Sequence, residues 1–174
     1  MQIKIEDLAP KKLINFYPPQ AVCLANQAAL FLPESSAVPP LARAILEIEG
    51  VTGCLVSDVL IGVSFSENAN KEDLTALVLA ELDDYFSVGG EMLQVAASQA
   101  NLPFMEALAD SFIRPTLNRD KGDIKIISYK GGILQLQFTG HCAGCPYAQN
   151  TLNNVIAGCF KRYVPQLKDI QVKA

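Results

Sequence analysis

The clearest hydrophobic pattern lies in the C-terminal part of the chain. Between residues 133 and 138, leucine and phenylalanine alternate with glutamine, which predicts a strand with one buried face and one solvent-exposed face. A second strand is predicted at 124–129, across a turn at Gly131 and Gly132. Apolar positions between 150 and 163 recur at helical spacing, so a helix should follow the two strands.

A helix is also predicted in front of this hairpin, at 103–117. Its apolar stripe includes Phe104, Leu108 and Phe112. Pro115 should kink or shorten it, because proline lacks the N–H that an internal helical position needs. The run at 169–172 predicts a last short strand.

The N-terminal half has a looser pattern of short strands and two helices. Prolines interrupt its first segments, and Ser57-Asp58 is typical of a hairpin turn. The predicted elements, in chain order, are strands at 2–5 and 13–17, a helix at 41–48, strands at 51–56 and 60–65, and a helix from Lys71 capped by Asn70.

A composition change between the two halves predicts two domains. Val88-Gly89-Gly90 ends a helical pattern, and the next residues are small and mixed in character. We expect an α/β (α+β) protein with a domain at 1–88, a linker at 89–101 and a domain at 102–174, each a small sheet or hairpin packed with helices. The alternative is a helix that continues through Met92 and Leu93 and leaves a shorter hinge.

Composition limits the classes of partner. The 174 residues are 50% hydrophobic and 18% charged, with a net charge of −4, which suits packed domains. The acidic balance argues against nucleic acid or an anionic membrane as the partner, and no apolar run is long enough to span a bilayer. The first residues resemble neither a signal nor a transit peptide, so we expect a cytoplasmic, bacterial protein, with a mitochondrial or plastid matrix as the alternative.

Cysteine supplies the candidate chemistry. Of five cysteines, Cys142 and Cys145 form a CxxC pair that Pro146 follows, between the predicted strand and the predicted helix. A helix start stabilises negative charge, so we expect the pKa of both thiols to be lowered. Cys23, Cys54 and Cys159 lie in apolar segments and are predicted to be packing residues.

Three chemistries suit the CxxC pair. A zinc site needs four ligands and the neighbourhood offers two, with His141 too close in sequence to Cys142 to share an ion with it. A redox disulfide usually sits in a βαβ unit, whereas this pair follows two hairpin strands. An iron–sulfur cluster takes four thiolates, which two copies of the chain would supply together.

The neighbourhood of the CxxC pair resembles the C-terminal domain of NifU and Nfu-type iron–sulfur proteins. The N-terminal half resembles, more loosely, the Nfu N-terminal domain. The C-terminal motifs are at residues 113–115 (Ile-Arg-Pro), 122–124 (Gly-Asp-Ile), 140–146 (Gly-His-Cys-Ala-Gly-Cys-Pro), 151–152 (Thr-Leu) and 163–165 (Tyr-Val-Pro). The N-terminal motifs are at 40–42 (Pro-Leu-Ala), 48–53 (Ile-Glu-Gly-Val-Thr-Gly), 57–58 (Ser-Asp) and 60–65.

The resemblance implies a scaffold or carrier, not an enzyme. Its implied ligands are Cys142 and Cys145 of two subunits, which would hold a labile 4Fe-4S cluster at the interface of a homodimer, with 2Fe-2S left open. The implied partners are apo iron–sulfur enzymes and cluster-assembly proteins. The N-terminal domain is expected to recognise partners or adjust the dimer, His141 to be a polar neighbour of the cluster, and Arg114 to lie in solvent. A thiol–disulfide oxidoreductase and a structural zinc module are the alternatives.

Overall fold

The structure, a computed structural model, describes residues 1–95, 100–147, 150 and 152–173. The chain divides into two compact units, Met1–Ala97 and Ser98–Ala174. Each unit combines helices with one sheet. The predicted α+β class with two small domains is therefore confirmed. The residue limits proposed for the domains and the linker stay a prediction, since residues 96–99 lie outside the described ranges.

The first unit contains a five-stranded antiparallel sheet and two helices. The strand order in the sheet is β1-β2-β5-β4-β3. Side chains of both helices, among them Ile45 and Val78, lie in one core with the strands. The elements are β1 Lys4–Asp7, β2 Leu13–Tyr17, β3 Ala28–Phe31, α1 Pro40–Leu46, β4 Val51–Ser57, β5 Ile61–Phe65 and α2 Lys71–Ser87. The predicted hairpin of 51–56 and 60–65 is confirmed as β4 and β5.

Helix α2 begins and ends where its sequence predicts. The Asn70 side chain accepts hydrogen bonds from the N–H groups of Glu72 and Asp73, at 3.1 and 3.2 Å, which caps the first turn. Beyond Ser87, residues 91–95 form no helix, so the alternative of a longer helix is wrong over that segment. Instead, the Leu93 N–H donates to the Val22 carbonyl at 2.7 Å, and Leu93 is buried in the core of the first unit.

The second unit places its helices against a three-stranded sheet. Strand order is β6-β7-β8, with β6 and β7 antiparallel and β7 and β8 parallel. Phe104, Leu134, Leu136 and Phe160 are fully buried in this unit. The elements are α3 Leu102–Leu108, a π-helical turn Ala109–Ile113, α4 Arg114–Arg119, β6 Gly122–Lys130, β7 Ile133–Gly140, a second π-helical turn Leu152–Ile156, α5 Ala157–Tyr163 and β8 Asp169–Lys173.

The parallel pairing of β7 with β8 corrects one expectation. Val172 of β8 aligns with Leu136 of β7, and α5 lies between the two strands in the chain. Strand, helix and parallel strand make a βαβ unit, with Cys142 and Cys145 in its connection. The alternating pattern of the sequence predicts the antiparallel hairpin, but it carries no information on which strand the last segment joins. The absence of a βαβ context therefore no longer argues against a redox disulfide.

Gly158 in α5 offers a test of this helix. A Cβ at Gly158 would meet no atom within 4 Å. Gly158→Ala should therefore raise the free energy of unfolding by about 0.5–1 kcal/mol, because alanine loses less conformational freedom in a helix. Chemical denaturation followed by circular dichroism measures the change. Gly132→Ala is the control and should be destabilising, since Gly132 has a φ of +82° and its Cβ would lie 2.8 Å from the Gln166 carbonyl oxygen.

Candidate metal centre

The two cysteines lie in a compact turn directly after β7. Gly140 ends the strand with a φ of +59°, a conformation that favours glycine. The His141 N–H donates to the Lys121 carbonyl at 3.0 Å, and the Ala143 N–H donates to the Gly140 carbonyl at 3.1 Å. The Cys145 N–H donates to the Cys142 carbonyl at 3.4 Å. The backbone thus turns back on itself and brings both thiols to one end of the β6–β7 hairpin.

The Cys142 side chain lies against Gly122, at the start of β6. We call this place on β6 the seat of Cys142. Gly122 pairs with Gly140 across the hairpin. A Cβ on Gly122 would lie 2.1 Å from the Cys142 sulfur, so the thiol occupies the space that any other residue's side chain would need. The next backbone N–H, that of Asp123, donates to the Cys142 sulfur. Two consecutive residues of β6 therefore define the position of this thiol.

The environment of Cys142 raises the pKa of its thiol. Partial burial is the largest cause, and the negative charges of Cys145, Asp120 and Asp123 add to it, while the Asp123 N–H acts in the opposite direction. The expectation of a lowered pKa is wrong for Cys142, because these contributions outweigh any stabilisation of the thiolate. The free protein therefore holds Cys142 as a thiol near neutral pH, and metal binding has to release its proton.

The turn that carries the cysteines is open to solvent. Cys142 and Cys145 are half-buried, whereas His141, Ala143 and Gly144 are exposed. Over the described ranges, no group of three or more His, Cys, Asp or Glu residues is placed to hold a metal ion. The residues outside those ranges, at 96–99, 148, 149, 151 and 174, include none of these four types. The turn therefore offers two thiols as metal ligands, and the residues around them are exposed to solvent.

Arg114 binds the first residues of β6, next to Gly122, and corrects a further expectation. The side chain was predicted to lie in solvent, but the residue is only 5% exposed. Its guanidinium forms salt bridges with Glu106, Asp110 and Asp123, at 2.7, 2.8 and 3.0 Å. It also donates to the Ile124 carbonyl at 3.0 Å. The one sequence signal for this burial is Asp110, four residues before Arg114 on the predicted helix.

The other cysteines have the properties of packing residues. Cys23 and Cys54 are buried in the first unit, as predicted. Burial raises the pKa of the Cys23 thiol to about 11 and that of the Cys54 thiol to about 12. Cys159 in α5 is half-buried, and desolvation raises the pKa of its thiol to about 12. All three thiols are therefore protonated and weakly nucleophilic at neutral pH.

Comparison with known proteins finds a family match within the second unit. Residues 105–171 match the family described as NifU-like domain. The chain is similar to an "NFU1 iron-sulfur cluster scaffold homolog, mitochondrial" of Drosophila persimilis, at 30% identity over 142 residues that cover 76% of this chain and 50% of that relative. The protein of the same name from Drosophila grimshawi is also 30% identical, and the match covers 48% of its length. The chain thus spans about half the length of these relatives.

Several solved structures resemble part of the chain. Protein SAV1430 from Staphylococcus aureus is 19% identical, with a TM-score of 0.42, over 47% of this chain and 99% of that one. Among the helices of the described residues, none is long and apolar enough to cross a membrane.

Proposed function

Because this chain carries a NifU-like domain over residues 105–171 and is of the NifU/Nfu type, we propose that it carries an iron–sulfur cluster and delivers it to other proteins. Cys142 and Cys145 are the proposed ligands, and two copies of the chain share one 4Fe-4S cluster between them. The chemistry is ligand exchange at iron and involves no enzymatic turnover. The 2Fe-2S cluster is the second form that the same four thiolates would accept.

The observation that carries this proposal is the pair of thiols on an open turn. An iron–sulfur cluster is held by four thiolates, and the turn supplies two of them. A second copy of the same turn would complete the set without any further residue type. Both cysteines are accessible, and Gly140 and Gly144, with φ of +59° and +72°, keep the backbone tight around them.

The same geometry supports release of the cluster. Separation of the two copies would leave the cluster with half of its protein ligands, and the thiols of an acceptor protein could then replace them. The apo iron–sulfur proteins that receive it are the proposed partners, and the first unit is the proposed site of their recognition. The relatives are mitochondrial by name, whereas for this chain the bacterial cytoplasm stays the prediction and an organelle matrix its alternative.

The βαβ context of the cysteines supports a second candidate function. A CxxC pair in such a unit also suits a thiol–disulfide oxidoreductase, which would form and reduce a Cys142–Cys145 disulfide during turnover. The raised pKa of Cys142 opposes this candidate, because the attacking group in disulfide exchange is a thiolate and such enzymes lower the pKa of that thiol.

Anaerobic reconstitution with iron and sulfide tests the proposal. The protein should become brown, contain about four irons and four sulfides for each pair of chains, and change from monomer to dimer in gel filtration. Removal of iron by a chelator should return it to the monomer. A colourless protein that retains zinc would identify the structural zinc module, and iron-independent reduction of a small disulfide substrate would identify the oxidoreductase.

A further inference from the structure

The helix before β6 contains a π-helical turn that places Arg114. Pro115 has no N–H to donate to the carbonyl of Ser111, and its ring would clash with that carbonyl in a regular helix. The chain meets this constraint by widening the turn at Ala109–Ile113, where the Arg114 N–H donates to the Ala109 carbonyl five residues back. A π-helical turn contains one residue more than an α-helical turn, and this changes the direction in which the next residues face. The Arg114 side chain is buried within the second unit, although Arg114 begins a helix and precedes a proline.

The buried guanidinium holds two different parts of the unit. On its own helical segment it binds Glu106 and Asp110, at 2.7 and 2.8 Å. On β6 its Nε donates to Asp123 at 3.0 Å and its Nη2 donates to the Ile124 carbonyl at 3.0 Å. The same Asp123 oxygen accepts the Ile124 N–H at 2.7 Å. The first residues of β6 are thus fastened to the helix through one side chain.

The same segment of β6, residues 122–124, positions the Cys142 side chain. Asp123 contributes the N–H that donates to the Cys142 sulfur, and Gly122 provides the space for that sulfur. Any shift of residues 122–124 along β6 therefore moves the thiol. Cys145 is held differently, because its N–H bonds within the turn itself, to the Cys142 carbonyl.

We propose that Arg114 is a positioning residue for Cys142, acting through its bonds to Asp123 and the Ile124 carbonyl. The purpose of this positioning, to hold one thiol ready for the cluster, rests on the proposed function. The positioning itself is a property of the free protein and is measurable without iron.

Alkylation of the cluster-free protein tests the positioning. The probe is iodoacetamide at one fixed pH, and mass spectrometry gives the modification rates of Cys142 and Cys145 in the same molecule. Asp123→Ala should raise the Cys142 to Cys145 rate ratio by about threefold or more, because a thiol that leaves its place against Gly122 becomes more exposed to the reagent. The matched control is Asp120→Ala, which also removes a carboxylate close to Cys142 but is not one of the three that bind Arg114. Its smaller rise measures the effect of charge alone.

Arg114→Gln separates position from charge. Loss of this positive charge leaves three carboxylates uncompensated, so charge alone would lower the Cys142 rate. Greater exposure of a displaced thiol would raise the rate instead. A raised ratio in a folded Arg114→Gln protein supports the proposal. Arg119→Gln, on an exposed arginine of the same helix, should leave the ratio unchanged.

Two outcomes would overturn the proposal. The first is an equal rise in Asp123→Ala and Asp120→Ala, which remains decisive even if Arg114→Gln does not fold. The second is a folded Arg114→Gln protein with an unchanged or lower ratio. Failure of the wild-type protein to take up a cluster would reject the proposed function and leave this rate comparison standing.

Discussion

Cys142→Ser and Cys145→Ser should each abolish cluster binding. Each substitution removes one thiolate from each copy, so that a pair of chains offers two instead of four. A serine hydroxyl remains protonated where a thiol ionises, and it is a poor ligand for iron–sulfur clusters. Iron and sulfide contents after anaerobic reconstitution should fall to the background of a protein without cysteine ligands.

The oligomeric state gives an independent measurement of the same prediction. If the shared cluster holds the two copies together, both serine variants should stay monomeric in gel filtration after reconstitution. Their unfolding should resemble that of the wild-type protein without a cluster, since both cysteines lie on an open turn. A serine variant that dimerises without iron would separate dimer formation from the cluster.

Cys159→Ser is the matched control. Cys159 lies in α5 and is half-buried, with a thiol whose pKa is raised to about 12 by desolvation. Its replacement should leave iron content and dimer formation as in the wild type. If Cys159→Ser lost the cluster while a Cys145→Ser protein retained it, the ligand assignment would be wrong.

The local elements of this fold were predictable because their signals are local. Alternation of leucine with glutamine identified β7, and Asn70 identified the start of α2. The resemblance to NifU and Nfu-type proteins is confirmed, and it rested on residue types at fixed spacing around Cys142 and Cys145. Each of these features is determined by residues close together in the chain.

The features that sequence reasoning missed depend on residues brought together by folding. Arg114 looked like a solvent-exposed charge, because Asp123, on the next strand, and the Ile124 carbonyl are partners that no helical spacing reveals. The pKa of Cys142 was expected to fall because only its place before a helix was visible. Its burial, and the nearness of Asp120 and Asp123, arise from the β6–β7 pairing.

Gly122→Ala should displace the Cys142 thiol and remove most of the cluster binding. A methyl group at Gly122 would lie 2.1 Å from the Cys142 sulfur, 3.2 Å from its Cβ and 3.3 Å from its backbone nitrogen. Carbon and sulfur atoms in contact need about 3.5–4 Å, so rotation of the thiol alone relieves only the first overlap. The remaining contacts push the whole residue outward. The affinity for the cluster, measured as iron uptake at limiting iron, should fall about tenfold, a factor that corresponds to about 1.4 kcal/mol and lies within the cost of an overpacked site.

The effect of Gly122→Ala should be confined to the site. Gly122 does not have a positive φ, so its backbone conformation accepts alanine, and β6 keeps its pairing with β7. Circular dichroism should therefore be unchanged, and the free energy of unfolding should fall by only about 1–3 kcal/mol. The Cys142 alkylation rate in the cluster-free protein should rise relative to that of Cys145.

Gly131→Ala is the control at the opposite end of the same hairpin. Gly131 has a φ of +59° and open space around its Cβ, so alanine there costs backbone strain of about 1–2 kcal/mol without touching either cysteine. It should retain the cluster despite a comparable loss of stability. Equal cluster loss in both variants would mean that the stability of the hairpin governs cluster binding. Normal cluster content in Gly122→Ala would mean that Cys142 does not lie against Gly122 in the cluster-bound protein. Loss in Gly122→Ala alone would establish that the cluster needs Cys142 where β6 holds it.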